Sequence, residues 1–413
     1  MKLIRTFALA TTALYLSGCT SIAESAKDSW EDIFGTEEEA AIMALDPIDP
    51  LFDAKVLWRA EVGDGIGEHF SRLTPAVAYG KVYAASRDGI VRAMDQSTGK
   101  VLWEKNYVTW QDDGMLAGVK KLWQDGISAK VSGGLTADYN KVFIGTEDGY
   151  LYALDAETGD GLWRSSVGGE ILAAPVADEN MILVTTSSGK LVALDADSGE
   201  QNWSYESDVP ALSLRGVSSP AASGGGAITG TASGKVAVIL MENGQVAWEQ
   251  MVATPKGATE LDRMVDIDAQ PKVVGGFLYV ISYNGTLASL ELRTGRVIWK
   301  REYGSYRQMA IEGNSIFVVD TKSHIYALDR RTGTELWSNT SLDYRNVTEP
   351  SPLGSYIVVA DKYGYVHWLK QENGDVVSRK ELDDSGFYSP SVVVDRTVFL
   401  QSRDGQLFSI ETP

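Results

Sequence analysis

The sequence predicts an all-β protein, an eight-bladed β-propeller of four-stranded antiparallel blades, closed by pairing of the N-terminal strand with the last blade. Three features predict it. A unit recurs eight times along the chain, at intervals close to the roughly 40–50 residues of one propeller blade. The clearest units alternate apolar and polar residues before a Thr-Gly or Ser-Gly turn, as the strands of a hairpin do. The last unit lacks its final strand, and a matching strand stands alone before the first unit.

The repeated unit is clearest at 149–163 and 189–203, where both copies follow the pattern Ala-x-Asp-x-x-(Thr/Ser)-Gly-x-x-x-Trp. Gly suits the turn because it adopts a positive φ without steric penalty. The Trp falls on the fourth strand, so we expect it to pack between neighbouring blades rather than to bind a ligand. The eight units start at Gly89, Gly149, Gly189, Gly234, Gly285, Ser323, Gly364 and Gly405.

Closure of the ring is predicted from the two ends of the repeat. The eighth unit stops at Pro413 without a Trp-bearing strand, whereas residues 56–60, with Trp58, match such a strand and precede the first unit. If residues 56–60 pair with the last unit, no open sheet edge remains at the seam. We therefore expect the propeller to occupy residues 55–413.

The N-terminus is predicted to be a lipoprotein signal peptide, residues 1–18. Lys2 and Arg5 precede an apolar run that ends at Leu16 and is too short to span a bilayer. The following Leu-Ser-Gly-Cys resembles a bacterial lipobox, which implies lipidation of Cys19. The alternative is an ordinary cleavage site with an incidental Cys. In lipoproteins of this kind, Thr20 after the Cys implies anchoring in the outer membrane, facing the periplasm.

Residues 19–54 are predicted to be the lipidated Cys and an acidic tether. Between residues 20 and 54 the chain has ten acidic residues and a single base, Lys27. A segment of this composition stays solvated, because it has too little apolar surface to bury. We expect it to hold the folded body away from the membrane.

Composition excludes several classes of function. The chain of 413 residues has 37 Lys and Arg against 56 Asp and Glu, a net charge of −19. Nucleic-acid binders normally present a basic face, so no nucleic acid is expected as a partner. One Cys and three scattered His rule out a disulfide framework and a Cys-rich metal site. We expect no metal and no cofactor.

Two connections between units hold the candidate binding residues. The first holds Leu212, Leu214 and Arg215 before the fourth unit, and apolar anchors beside an Arg are typical of the centre of an interface. The alternative is that both Leu side chains tuck under their own loop. The second connection, 254–270, is unusually long.

This second connection carries Glu260, Asp262, Asp266 and Asp268, with Arg263 as the opposing charge among them. It can be a contact surface, a solvated acidic loop, or one half of an ion pair with Arg215 inside the propeller. A Ca²⁺ loop is disfavoured because the segment Asp-Ile-Asp lacks the Gly and the spaced acids of such loops.

The Trp-bearing repeat resembles the tryptophan-docking motif of quinoprotein (PQQ) dehydrogenases, which are also eight-bladed propellers. The lipobox, the acidic tether and a single propeller together look like the BamB family of outer-membrane assembly lipoproteins. That resemblance implies a scaffold that docks the periplasmic POTRA domains of a BamA-like barrel subunit and joins other lipoproteins of the assembly complex. It places partner contacts on Leu212, Leu214, Arg215, Asp266 and Asp268, and Arg263 is a further candidate contact beside them. Pairing of exposed strand edges with nascent outer-membrane proteins is a further, open possibility.

An enzyme is not expected. A dehydrogenase like those the repeat resembles would need Ca²⁺ ligands and, as a rule, an adjacent Cys pair over the quinone, yet Cys19 is the single Cys and lies in the signal. The sequence also lacks a phosphate-binding Gly-Lys-Ser/Thr loop, a Gly-x-Ser-x-Gly elbow and a His-Glu-x-x-His motif. The alternatives that remain are a quinoprotein-like dehydrogenase and a propeller that holds a small ligand in its central channel.

Overall fold

The computed structural model describes residues 42, 44–69, 71–107, 128–214 and 218–413. The chain divides into two units, Met1–Pro47 and Ile48–Pro413, and every described strand belongs to the second. The predicted signal peptide, Cys19 and Arg215 lie outside the described residues. In the part of the chain that is described, no helix has the length and apolar character needed to cross a bilayer.

Residues 48–413 form eight four-stranded antiparallel sheets, as predicted. Each sheet is one blade, numbered here in chain order. Blades 1 to 4 consist of β2 (Ala76–Ala78), β3 (Lys81–Ala85), β4 (Ile90–Asp95) and β5 (Val101–Asn106); β6 (Val131–Asp138), β7 (Lys141–Thr146), β8 (Tyr150–Asp155) and β9 (Gly161–Ser166); β10 (Val176–Asp178), β11 (Met181–Thr185), β12 (Lys190–Asp195) and β13 (Gln201–Glu206); β14 (Ala221–Ser223), β15 (Gly226–Gly230), β16 (Lys235–Leu240) and β17 (Val246–Met251).

Blades 5 to 8 repeat the same order. They consist of β18 (Lys272–Val274), β19 (Phe277–Ile281), β20 (Leu287–Glu291) and β21 (Val297–Arg301); β22 (Ala310–Glu312), β23 (Ser315–Val319), β24 (Ile325–Asp329) and β25 (Glu335–Asn339); β26 (Ser351–Leu353), β27 (Tyr356–Ala360), β28 (Tyr365–Lys370) and β29 (Val376–Glu381); β30 (Val392–Val394), β31 (Thr397–Gln401), β32 (Gln406–Glu411) and β1 (Lys55–Glu61).

The seam closes as predicted. Strand β1, from the start of the propeller, pairs antiparallel with β32 at its end, so that Trp58 lies opposite Ser409 and Arg59 opposite Phe408. Blade 8 is therefore built from both ends of the propeller chain, and the sheet edge at the seam is filled.

Burial follows strand position within each blade. The second strand is the most buried, completely so in β3 (Lys81–Ala85) and with one less buried end residue in the other blades, because it lies in the interior of its sheet. The fourth strand alternates, and in β5 (Val101–Asn106) it is Trp103 that turns inward. The turn before this strand is fixed by Asp95, whose Oδ1 accepts a hydrogen bond from the Thr98 amide at 2.8 Å, and by Gly99 at φ +70°.

The predicted packing of Trp between blades is confirmed. Trp103 of blade 1 donates its indole N–H to the carbonyl of Ala156 in blade 2, at 3.2 Å, and its ring covers Gly159 so closely that a Cβ there would lie 2.6 Å from it. At the seam Trp58 bonds the Gln96 carbonyl at 3.0 Å. The same bond to the following blade is made by Trp163, Trp203, Trp248 and Trp337.

Blade 7 keeps this contact by a different route. Ser378 stands where the other fourth strands have Trp, and Trp368 lies directly opposite it on the third strand. Trp368 is fully buried and donates to the Thr412 hydroxyl of blade 8 at 3.0 Å. The ring of Phe52, which precedes β1, packs edge-on against Trp368 with centroids 6.0 Å apart. The segment before β1 thus reinforces the blade that lacks the usual Trp.

Each fourth strand also carries a β-bulge beside its Trp position. In blade 1, Trp103 pairs with Ala93 and Val101 with Met94, which leaves Leu102 as the extra residue. A register shift occurs at the same place in all eight blades. Bulges of this kind interrupt a sheet edge and twist it away from straight pairing with another strand.

Candidate functional site

The structure brings the two predicted connections together. The first runs between blades 3 and 4 and the second between blades 4 and 5. The Leu214 amide donates to Asp266 Oδ1 at 2.9 Å, and the Ser218 hydroxyl donates to the Ala269 carbonyl at 3.1 Å. Residues 207–214 and 254–268 therefore form one composite surface, the paired loops.

The first of the paired loops presents aliphatic side chains to solvent. Leu212 is 43% exposed, and Val209 is exposed to a similar degree. Leu214 is half-buried and lines a small cavity under the loop together with Asp268. The alternative in which both Leu side chains tuck under the loop is therefore wrong for Leu212, whereas Leu214 is partly tucked. Arg215, the third predicted contact here, lies outside the described residues.

The second of the paired loops has a tight exposed turn at its tip. Asp262 Oδ2 accepts from the Thr259 amide at 3.1 Å, and the Asp262 amide donates to the Thr259 hydroxyl at 3.1 Å. Arg263 points outward and contacts Glu260 at 3.4 Å. Between them Leu261 is 65% exposed. The turn geometry holds an aliphatic side chain in solvent.

Leu261 and Val209 were not among the residues predicted from sequence. Both are exposed aliphatic side chains on the surface that also holds Leu212. The sequence contained a usable signal for Leu261, because the two residues on either side of it, Thr, Glu, Asp and Arg, are all polar. Exposed apolar side chains clustered on protruding loops are typical of an interaction surface.

Asp266 and Asp268 do not fit the alternative of a solvated acidic loop. They are only 1% and 4% exposed. Burial raises the pKa of Asp268 to about 7, against the opposing effect of the Arg72 guanidinium. Burial also raises the pKa of Asp266, and the hydrogen bond from Leu214 opposes it. That alternative is wrong for these two residues because they lie under the paired loops; their assignment as partner contacts stays a prediction.

Arg72 spans the middle of the ring behind these residues. From the connection before blade 1 it donates to the Asp268 carbonyl at 3.0 Å and to the Tyr306 carbonyl at 2.8 Å, in the connections before blades 5 and 6. With Arg307 and Tyr388 it leaves a cavity of about 20 Å³, close to the volume that one water molecule needs. A quinone cofactor does not fit this cavity.

Among the described residues, one buried cluster resembles catalytic chemistry. In blade 7, Asp361 Oδ2 accepts from Arg345 Nε at 2.6 Å and contacts His367 Nε2 at 2.9 Å. Burial lowers the pKa of His367. Burial alone would raise the pKa of Asp361, but the contacts with His367 and Arg345 outweigh it, so that the pKa of Asp361 is lowered. All three side chains are buried, so the cluster ties blade 7 together without access for a substrate. No group of three or more metal-binding side chains occurs within the described ranges.

Comparison with known proteins gives this geometry a family. A family model described as "Outer membrane protein assembly factor BamB" matches residues 116–339. The outer membrane protein assembly factor BamB of Alteromonas naphthalenivorans is 49% identical over 401 residues, which cover 96% of this chain and 94% of the relative. The chain belongs to the BamB family. The Escherichia coli BamB is 37% identical over 396 residues, covering 96% of this chain and 95% of the relative.

Solved structures agree with the fold. BamB from Moraxella catarrhalis superposes with a TM-score of 0.75 at 28% identity and covers 87% of this chain and 100% of its own. The quinohemoprotein alcohol dehydrogenase of Comamonas testosteroni superposes at 0.66 with 13% identity, covering 87% of this chain and 76% of its own. A dehydrogenase propeller model also matches residues 52–172. The dehydrogenases share the propeller, whereas the BamB family is one of assembly factors rather than of enzymes, in agreement with the prediction.

Proposed function

We propose that this protein is a non-enzymatic scaffold of the outer-membrane β-barrel assembly complex, and that the paired loops dock the periplasmic POTRA domains of the barrel subunit. The observation that supports this proposal most directly is the exposure of Val209, Leu212 and Leu261 on two loops that are joined by hydrogen bonds. A cluster of exposed apolar side chains is typical of an interaction surface, and Arg is enriched among the residues that dominate binding energy at interfaces. Arg215 and Arg263 supply that directional charge.

In this proposal Asp266 and Asp268 support the contact from below. Asp266 holds the Leu214 amide, and Arg72 ties the Asp268 backbone to the far side of the ring. A surface held rigid before binding loses less conformational entropy when the partner docks. The Asp266 carboxylate therefore positions the loop that bears Leu212, and the Asp268 backbone anchors the second loop.

The N-terminus completes the proposal. Residues 1–18 are removed as a signal peptide, Cys19 is acylated, and residues 19–54 tether the propeller of residues 55–413 to the periplasmic face of the outer membrane. Replacement of Cys19 by Ala should release the protein from the outer-membrane fraction into the soluble periplasmic fraction. Retention of the variant in the membrane fraction after a salt wash would contradict lipid anchoring.

The docking surface is tested by Leu212→Asp and Leu261→Asp in a pull-down of the full-length protein with the barrel subunit. Each change places a charge in the apolar centre of the contact, so we expect recovery of the subunit to fall by about tenfold or more. Leu102→Asp is the matched control, because Leu102 is 47% exposed on the outer strand of blade 1. Equal recovery with all three variants would place the interface elsewhere.

A further inference from the structure

A cleft of about 640 Å³ opens directly behind the second of the paired loops. One wall is the connection that follows β17 and includes Lys256 and Asp262; the other is blade 5, with the turn at Asn284 and the end of β21 at Lys300. The walls are fastened together, since Asn284 Nδ2 donates to the Asp262 carbonyl at 2.7 Å. The cleft is therefore formed before any ligand enters.

The lining of the cleft carries three basic side chains, Lys256, Lys300 and Arg301, against two acidic ones, Asp262 and Glu302. Several other lysines at the blade surfaces pair with carboxylates, as in Lys105–Asp160 and Lys141–Asp197. Lys300 Nζ donates to the Val252 carbonyl at 2.6 Å. Two ammonium groups thus share one cleft in a protein of net charge −19.

The two lysines also act on each other. Burial, with the nearby charge of Lys256 adding to it, lowers the pKa of Lys300. An anion placed between two like charges relieves their repulsion and gains from both. Asp262 and Glu302 on the same lining reduce the net positive charge, which suits a single carboxylate better than a doubly charged phosphate.

We propose that this cleft binds a carboxylate side chain of the docked partner, so that the scaffold recognises an acidic segment lying beside the apolar contact. The inference rests on the proposed docking function, because the cleft and the apolar tip at Leu261 share one loop. It assigns the paired loops two adjacent tasks. Leu212 and Leu261 supply the apolar anchor, and Lys256 with Lys300 selects a partner that carries negative charge at the matching position.

The test is the affinity of the full-length protein for the purified POTRA domains of the barrel subunit. Lys256→Glu should weaken binding about tenfold at low salt. At high salt the difference in affinity between this variant and the wild type should be smaller, because exposed charges are then screened. Lys100→Glu, an exposed lysine in blade 1, makes the same change in net charge and should leave the affinity unchanged.

The outcomes separate the two proposals. If Lys256→Glu binds as tightly as Lys100→Glu while Leu212→Asp binds weakly, the carboxylate site is wrong and the docking surface stands. If the wild-type protein does not bind the POTRA domains, both proposals fail. Acetylation of Lys256 by an amine-reactive reagent gives a second readout. Protection by the POTRA domains supports the site, whereas protection by inorganic phosphate and not by the domains would overturn it.

Discussion

Single residues in this protein owe their properties to neighbours that are distant in the chain. Asp268 belongs to a run of acids that looks solvated from its sequence, yet it is buried beside Arg72. Arg72 reaches it through the middle of the ring and binds its backbone carbonyl. A carboxyl group buried in this way favours its neutral form, because desolvation penalises the charge more than the nearby guanidinium rewards it.

This burial predicts a pH-dependent contribution to stability. The pKa of Asp268 is raised to about 7 in the folded protein, so its contribution is fully present below the unfolded pKa of about 4 and is lost as the pH rises through 7. We expect the wild type to lose stability relative to Asp268→Asn between pH 4.5 and pH 8, by up to about 4 kcal/mol in the free energy of unfolding. The melting temperatures of the two proteins across this pH range measure the loss. A difference between the two proteins that is independent of pH would contradict the assignment.

At the scale of elements, the interlock between blades depends on a Trp above a Gly. Gly159 combines φ +73° with a Trp103 ring 2.6 Å from where a Cβ would lie. Gly159→Ala should therefore lower stability by about 1–3 kcal/mol, through backbone strain and displacement of the indole. Gly161→Ala is the matched control, since its Cβ would meet nothing within 4 Å. Thermal unfolding of both variants measures the effect, and equal melting temperatures would show that the close packing is not needed.

The outer strands of the blades are poorly suited to pairing with strands of nascent outer-membrane proteins. The bulge at Leu102 and its counterparts interrupt each of the eight outer edges beside the Trp position. In blade 7 the edge is already occupied, because the Leu51 amide donates to the Val377 carbonyl at 2.8 Å. An added strand would find only a few residues of regular edge on any blade. Recognition through the paired loops does not meet this obstacle.

The sequence predicted the elements that conform to the repeat and missed those that depart from it. Pairing of Trp58 with the last blade was predictable from a missing strand at one end and a spare one at the other. The exchange of Ser378 and Trp368 in blade 7 could not be predicted, because the compensating Trp sits on a different strand. The burial of Asp266 and Asp268 depends on Arg72 and Leu214, and no local pattern reports contacts across about 50 to 200 residues.

At the scale of the whole molecule, closure of the ring fixes the positions of the paired loops. Eight blades locked by Trp contacts and a two-ended seam hold the connections in fixed positions. Arg72 then joins the connection before blade 1 to those before blades 5 and 6 across the centre. A partner that docks on loops 207–214 and 254–268 is consequently held at a defined angle to the ring, which is what a scaffold for assembly requires.

Hydrogen–deuterium exchange of the full-length protein, alone and with the POTRA domains of the barrel subunit, tests docking on the paired loops most directly. We expect binding to slow exchange in peptides spanning 207–214 and 254–265, while the outer strand of blade 1, 101–106, stays unchanged. Slowed exchange confined to other blades, with both loops unaffected, would contradict docking at this surface.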